Sequence, residues 1–162
     1  MYTLTLDNDD LRLVYLATVY HLGRPGSEID AVTLKPHSLG LGSLREALEP
    51  QLANASADVD LSDYQLARLG QALHGIVNEL KQFELAQGRS AVPGFSEAME
   101  QLYPGIADQS GASLDLVQQA IMLRRRLDAA VRDAEVAVEA AQSQLAEREA
   151  EERQPWWKFW AR

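Results

Sequence analysis

The first stretch of the chain alternates between apolar and polar residues and then changes to helical spacing. The segment YTLTL is rich in Thr and Tyr, which predicts a short strand over residues 2–6. Asp7 follows where a helix N-cap is expected, and Asp10 stands in the first turn, where the helix dipole favours acids. Apolar residues then recur at intervals of three and four, which predicts a helix over about residues 8–22.

The middle of the chain carries further helical segments separated by turn-forming residues. SLRE at Ser43–Glu46 and SDYQ at Ser62–Gln65 are capping-box patterns, in which a Ser hydroxyl and a Glu or Gln side chain bond reciprocal backbone N–H groups. We therefore expect helices over about 43–52 and 62–87, and a shorter one over 95–103.

Two short stretches between these helices give weaker patterns. IDAVTLKP favours a second strand near 31–35, and ANASAD at 53–58 is typical of a linker. LDNDDLRLV at Leu6–Val14 also resembles LSDYQLARL at Leu61–Leu69. Two interpretations of this similarity are open. The segments are two strand–cap–helix units that pack about a pseudo-twofold axis, or they share only the pattern of any two well-capped amphipathic helices.

The last third of the chain predicts one long helix over 113–153, because it lacks Gly and Pro and is dominated by strong helix formers. Apolar residues recur in steps of three and four, as in a coiled-coil seam. The first half, Leu116–Leu127, is expected to pack on the preceding body. An antiparallel partner helix, from the same chain or from a second copy, suits a seam that alternates large residues with Ala. The predicted helix-pairing residues are Leu127, Val131, Ala134, Val138, Ala141 and Leu145.

Four aromatic rings crowd the end of the chain, after a charged spacer that follows Leu145. As a helix, the tail over 154–162 would be amphipathic, with Lys158 opposite the rings and Arg162 nearer to Lys158 than to them. The rings represent roughly 600–1,000 Å² of surface. Three surfaces could bury them: a membrane interface, a groove on another protein, or the protein's own core or a second copy. The residues expected to bind a partner or a membrane are Trp156, Trp157, Lys158, Phe159, Trp160 and Arg162.

Composition excludes several classes of function. The chain has 162 residues and no cysteine, so disulfides and thiol chemistry are excluded. Its formal net charge is −9, which makes nucleic acid an unfavourable partner. We expect neither a signal peptide nor a membrane span, because the first residues lack a basic and an apolar region and no apolar run approaches roughly 20 residues. We expect a cytoplasmic protein, with a membrane-peripheral location as the alternative.

Candidate chemistry is sparse. His21, His37 and His74 do not stand at metal-ligand spacings, and the Gly40–Ser43 segment GLGS lacks the Lys of a phosphate-binding loop. We therefore expect no metal site, no cofactor and no small-molecule substrate.

These patterns together predict a mainly α protein. A compact helical body over 1–110 would include the short β element, followed by the long coiled-coil-like helix and the aromatic tail. The function we expect is a non-enzymatic interaction or scaffold protein. It would self-associate or dock through the long helix and engage another protein through the tail. The alternative is a peripheral membrane protein tethered by the same tail.

Overall fold

The fold is mainly α, as predicted, with a small antiparallel sheet beside the helices. The structure, a computed structural model, describes residues 1–24 and 40–152. In these residues the helices and strands are, in chain order, β1 (Tyr2–Asp7), α1 (Asn8–Gly23), α2 (Leu41–Leu48), β2 (Ser56–Leu61), α3 (Asp63–Leu85), α4 (Phe95–Leu102) and α5 (Ala112–Glu152). Short 3₁₀ turns at Glu49–Gln51 and Ile106–Asp108 follow α2 and α4.

The partner of the first strand is β2, whose first half, residues 56–58, belongs to the predicted linker. The two strands are antiparallel, with Leu4 opposite Val59. On the exposed face the Thr3 hydroxyl donates to Asp60 over 2.5 Å and the Thr5 hydroxyl to Asp58 over 2.7 Å. The linker prediction was wrong. In SADVDL the apolar residues Ala57, Val59 and Leu61 alternate with polar ones, as in a strand, but the small and acidic residues of this stretch are typical of a linker. The strand predicted near 31–35 lies outside the described residues.

Two of the three predicted caps are confirmed. Asp7 accepts a hydrogen bond from the Asp10 N–H over 2.8 Å. Ser62 and Gln65 form the complete capping box at the start of α3. The capping box predicted at Ser43 is wrong, because α2 already begins at Leu41 after Gly40.

Ser43 has a different role, inside the first turn of α2. Its hydroxyl donates to the Gly40 carbonyl over 2.8 Å. The Gln65 amide, already part of the α3 cap, also donates to the Gly40 carbonyl and to the Ser43 hydroxyl, each over 3.2 Å. One side chain therefore joins the beginnings of α2 and α3.

Helix α1 is the centre of the hydrophobic core, because it packs against α2, α3 and α4. Every residue from Leu13 to Val19 is buried, so α1 lacks the polar face of an ordinary surface helix. Phe95 at the start of α4 lies in edge-on contact with Tyr20 of α1 and Phe83 of α3, with ring centroids 6.5 and 6.2 Å apart. These contacts hold α4 against the other two helices.

The two similar sequence segments do form two similar strand–cap–helix units, β1–α1 and β2–α3. Leu61, Ser62 and Leu66 take the places in the second unit that Leu6, Asp7 and Leu11 hold in the first: the strand end, the cap and the first buried helical leucine. The strands pair antiparallel and the helices pack on each other, as expected for units related by a pseudo-twofold axis.

Helix α5 contributes to two structural units, Met1–Leu127 and Asp128–Arg162. The first unit, hereafter the body, includes the first part of α5, in agreement with the predicted packing of Leu116–Leu127 on the body. The α5 residues buried in the body are Ser113, Leu116, Val117, Ala120, Leu123 and Leu127. The part of α5 in the second unit, residues 128–152, is hereafter the distal helix.

Candidate interaction surface

The distal helix carries an apolar stripe that is open to solvent. Val138 and Leu145 are 55% and 59% exposed. Val131 and Ala134 are half-buried, and Ala141 is exposed. Val131, Val138 and Leu145 recur every seven residues, with Ala134 and Ala141 between them, so that all five lie along one side of the helix. We call this set the Val/Ala stripe.

Leu127 does not belong to this open surface, although it continues the same spacing. It is only 3% exposed and is part of the core of the body. Of the six residues predicted to pair with another helix, the structure therefore leaves the five of the Val/Ala stripe accessible in different degrees. The pairing itself stays a prediction.

Acidic residues surround the Val/Ala stripe. Residues 128–152 contain eight acidic side chains and only two basic ones, Arg132 and Arg148. In the heptad defined by the stripe, the positions beside the seam are Glu135, Gln142 and Glu149 on one side. On the other side they are Ala130, Ala137, Gln144 and Glu151. Neither side carries a basic residue, so the seam is flanked by negative charge.

An ion pair fixes the last turn of α5 that belongs to the body. The Arg126 guanidinium donates to the Asp10 carboxylate over 2.5 Å, with the Asp10 side chain only 9% exposed and that of Arg126 58% exposed. The hydrogen bond to Asp10 raises the pKa of Arg126 above its ordinary value. Nearby, Arg124 lies 2.9 Å from Nδ1 of His74 on α3.

The sequence alone does not reveal the partner of Asp10. In the first turn of α1 an acid is favourable for a purely local reason. The position of Arg126 depends on how α5 packs against α1, and no spacing in the chain reveals that distance. Arg126 belongs to the basic run LRRRL at Leu123–Leu127, and its acidic partner lies far away in the sequence.

The predicted aromatic site lies outside the described residues. This holds for Trp156, Trp157, Lys158, Phe159, Trp160 and Arg162, and also for His37. Binding of a partner by these side chains stays a prediction.

A polar cleft of about 470 Å³ lies where α3 ends and α5 begins. Glu84 accepts a hydrogen bond from the Gly111 N–H over 2.6 Å, so its carboxylate fastens the turn that precedes α5. Gln87, Asp108, Ser110 and the buried Ser113 complete the polar lining, which contains no histidine. The Ser113 hydroxyl, buried without a hydrogen-bond partner, lacks the adjacent base that activates a nucleophilic serine.

Two further kinds of site are absent from residues 1–24 and 40–152. No group of three or more His, Asp or Glu side chains is arranged to hold a metal ion there. None of the helices in this part of the chain has the length and hydropathy required to cross a membrane.

Comparison of the chain with protein-family models, with curated proteins and with solved structures finds no match.

Proposed function

We propose that this chain is a non-enzymatic interaction protein that self-associates or docks through its distal helix. A partner protein would be engaged in addition by the Trp-rich tail. In this scheme the body is the folded platform from which α5 continues without interruption to Glu152. A cytoplasmic location is part of the proposal and is supported by the absence of cysteine.

The observation that carries the proposal is the exposure of Val138 and Leu145 within a regular heptad. Full burial of a Val or Leu side chain stabilises by about 1.5–3 kcal/mol, and this free energy is not gained while the side chain is exposed. A second helix lying along the Val/Ala stripe would bury both, and Ala134 and Ala141 would let it approach closely. Scattered exposed apolar residues need no explanation, but a seven-residue repeat is the pattern of a helix-pairing seam.

A pair of surface variants tests this proposal. The double variant Val138→Ser, Leu145→Ser removes the apolar stripe while keeping the helix exposed. Its matched control is Val136→Ser, because Val136 is 65% exposed and lies off the stripe. The full chain should associate, with itself or with captured proteins, in light scattering and pull-down experiments. We expect the double variant to lose that association and the control to keep it. If the double variant and the control associate equally, the distal helix is not the docking surface.

The second candidate function is a peripheral membrane protein tethered by the tail. It is supported by the composition of residues 154–162, in which Trp156, Trp157 and Trp160 accompany two basic residues and no acidic one. Trp side chains favour the headgroup region, and basic residues attract anionic lipid by about 1 kcal/mol each.

Liposome sedimentation separates this candidate from protein docking. The full chain should pellet with anionic vesicles, whereas a chain ending at Gln154 should stay in the supernatant. Equal pelleting of the two chains would exclude tethering by the tail.

A further inference from the structure

We infer that the occupant of the Val/Ala stripe is a basic amphipathic helix of another protein, and not a second copy of this chain. This inference rests on the proposed docking function and specifies the chemistry of the partner. The negative charges around the stripe determine which partner fits it.

The distal helix is a poor partner for itself. A pair of copies would place two helices side by side that each carry eight acidic and only two basic residues. In an antiparallel pair centred on Gln142, Glu135 of each copy would face Glu149 of the other. In a parallel pair, the flanking residues Ala130, Ala137 and Gln144 of one copy would lie opposite Glu135, Gln142 and Glu149 of the other. At the flanking positions neither arrangement forms an ion pair, and both concentrate negative charge.

A basic helix would complement the same surface. Small or β-branched residues on its inner side would pack on Val131, Val138 and Leu145 and approach Ala134 and Ala141 closely. Lys or Arg at its flanking positions would face Glu135, and Arg side chains in particular could make paired hydrogen bonds to a carboxylate. Burial of the stripe would supply most of the affinity. The charges would select this partner and exclude a second copy.

Two peptides test the inference against the full-length protein. One has the native sequence of residues 128–152. The other is a charge-inverted peptide with the same stripe, in which each acid is replaced by Lys and each Arg by Glu. We expect the charge-inverted peptide to bind the full chain at least about tenfold more tightly in fluorescence anisotropy. The advantage should shrink between roughly 0.05 and 0.5 M NaCl, as screening requires.

Two controls show whether binding uses the stripe. A scrambled charge-inverted peptide keeps composition and charge but has no heptad, and it should bind weakly. In the protein, Val138→Ser with Leu145→Ser should weaken binding of the charge-inverted peptide, whereas Val136→Ser should not.

Each other outcome overturns a different claim. Equal or tighter binding of the native peptide, lost in the Val138→Ser, Leu145→Ser protein, would mean self-association. It would refute the inference while leaving docking through the distal helix intact. Equal binding of the scrambled peptide would reduce the effect to unspecific charge attraction and refute the inference. If neither the native nor the charge-inverted peptide binds, docking through the distal helix itself is refuted.

Discussion

The ring of Tyr20 on α1 lies directly over Gly75 on α3. A β-carbon added at Gly75 would come within 2.7 Å of Cζ and 2.8 Å of the hydroxyl oxygen of Tyr20. The two residues occupy matching places in the two strand–cap–helix units, so the close approach lies between the equivalent helices. The absence of a side chain at Gly75 is thus what lets Tyr20 reach Phe95.

Substituting Gly75 by Ala should destabilise the protein. Alanine favours the helix by about 1 kcal/mol over glycine, but the clash must displace the Tyr20 ring and overpacking costs about 1–3 kcal/mol. We expect a net loss of about 1 kcal/mol in the free energy of unfolding, measured in urea.

Gly70 provides the matched control, since it also lies within α3 and a β-carbon there would meet nothing within 4 Å. Gly70→Ala should therefore stabilise by about 0.5–1 kcal/mol. In a Tyr20→Ala background, Gly75→Ala should also become stabilising. If the clash explanation is incorrect, Gly75→Ala will have the same effect with and without the Tyr20 ring.

The ion pair between Asp10 and Arg126 gives a second prediction. Arg126→Met keeps the aliphatic stem but leaves the buried Asp10 carboxylate without its guanidinium. Because Arg126 is largely exposed, we expect a loss of only about 1 kcal/mol in the free energy of unfolding. Arg125→Met changes an exposed neighbour and should have little effect. An equal loss from both variants would assign the effect to helix propensity or net charge instead of the pair.

These contacts mark the limit of what the sequence could predict. Helix positions and the caps at Asp7 and Ser62 depend on neighbours within a few residues, so local patterns were sufficient. Strand β2 was missed because its stability comes from pairing with β1 and from the Thr–Asp bonds across the sheet. The Asp10–Arg126 pair depends on how α5 packs, which no local pattern contains. The Val/Ala stripe was predictable because it is a periodicity within one helix.

The end of α3 gives a third prediction, because Gln87 adopts a left-handed conformation with φ of 54°. The Gln87 N–H bonds the Glu84 carbonyl over 3.3 Å and the Gly88 N–H bonds the Phe83 carbonyl over 2.9 Å. These bonds form a Schellman motif, whose left-handed position is usually a glycine. Gln87→Gly should therefore stabilise the protein by about 0.5–1 kcal/mol, seen as a raised urea midpoint.

The neighbouring residue supplies the control for the Gln87 prediction. Ala86 has φ of −89°, so Ala86→Gly relieves no backbone strain there and only increases the conformational entropy of the unfolded chain. It should lower the urea midpoint. A decrease for Gln87→Gly as well would show that the side chain of Gln87 stabilises the motif more than its backbone conformation strains it.

The buried phenol of Tyr103 makes stability depend on alkaline pH. Its hydroxyl has no hydrogen-bond partner, and burial raises the pKa of the phenol well above its ordinary value. The group therefore keeps its proton in the folded state at a pH where the unfolded chain loses it. Its contribution to stability is complete below the unfolded pKa of about 10 and is lost as pH rises above that value. Tyr103→Phe should be nearly neutral at pH 7 and relatively more stable than the native protein above about pH 10. Urea denaturation from pH 7 to 11 measures the difference, and parallel stability profiles for the two proteins would show that Tyr103 ionises as easily when folded as when unfolded.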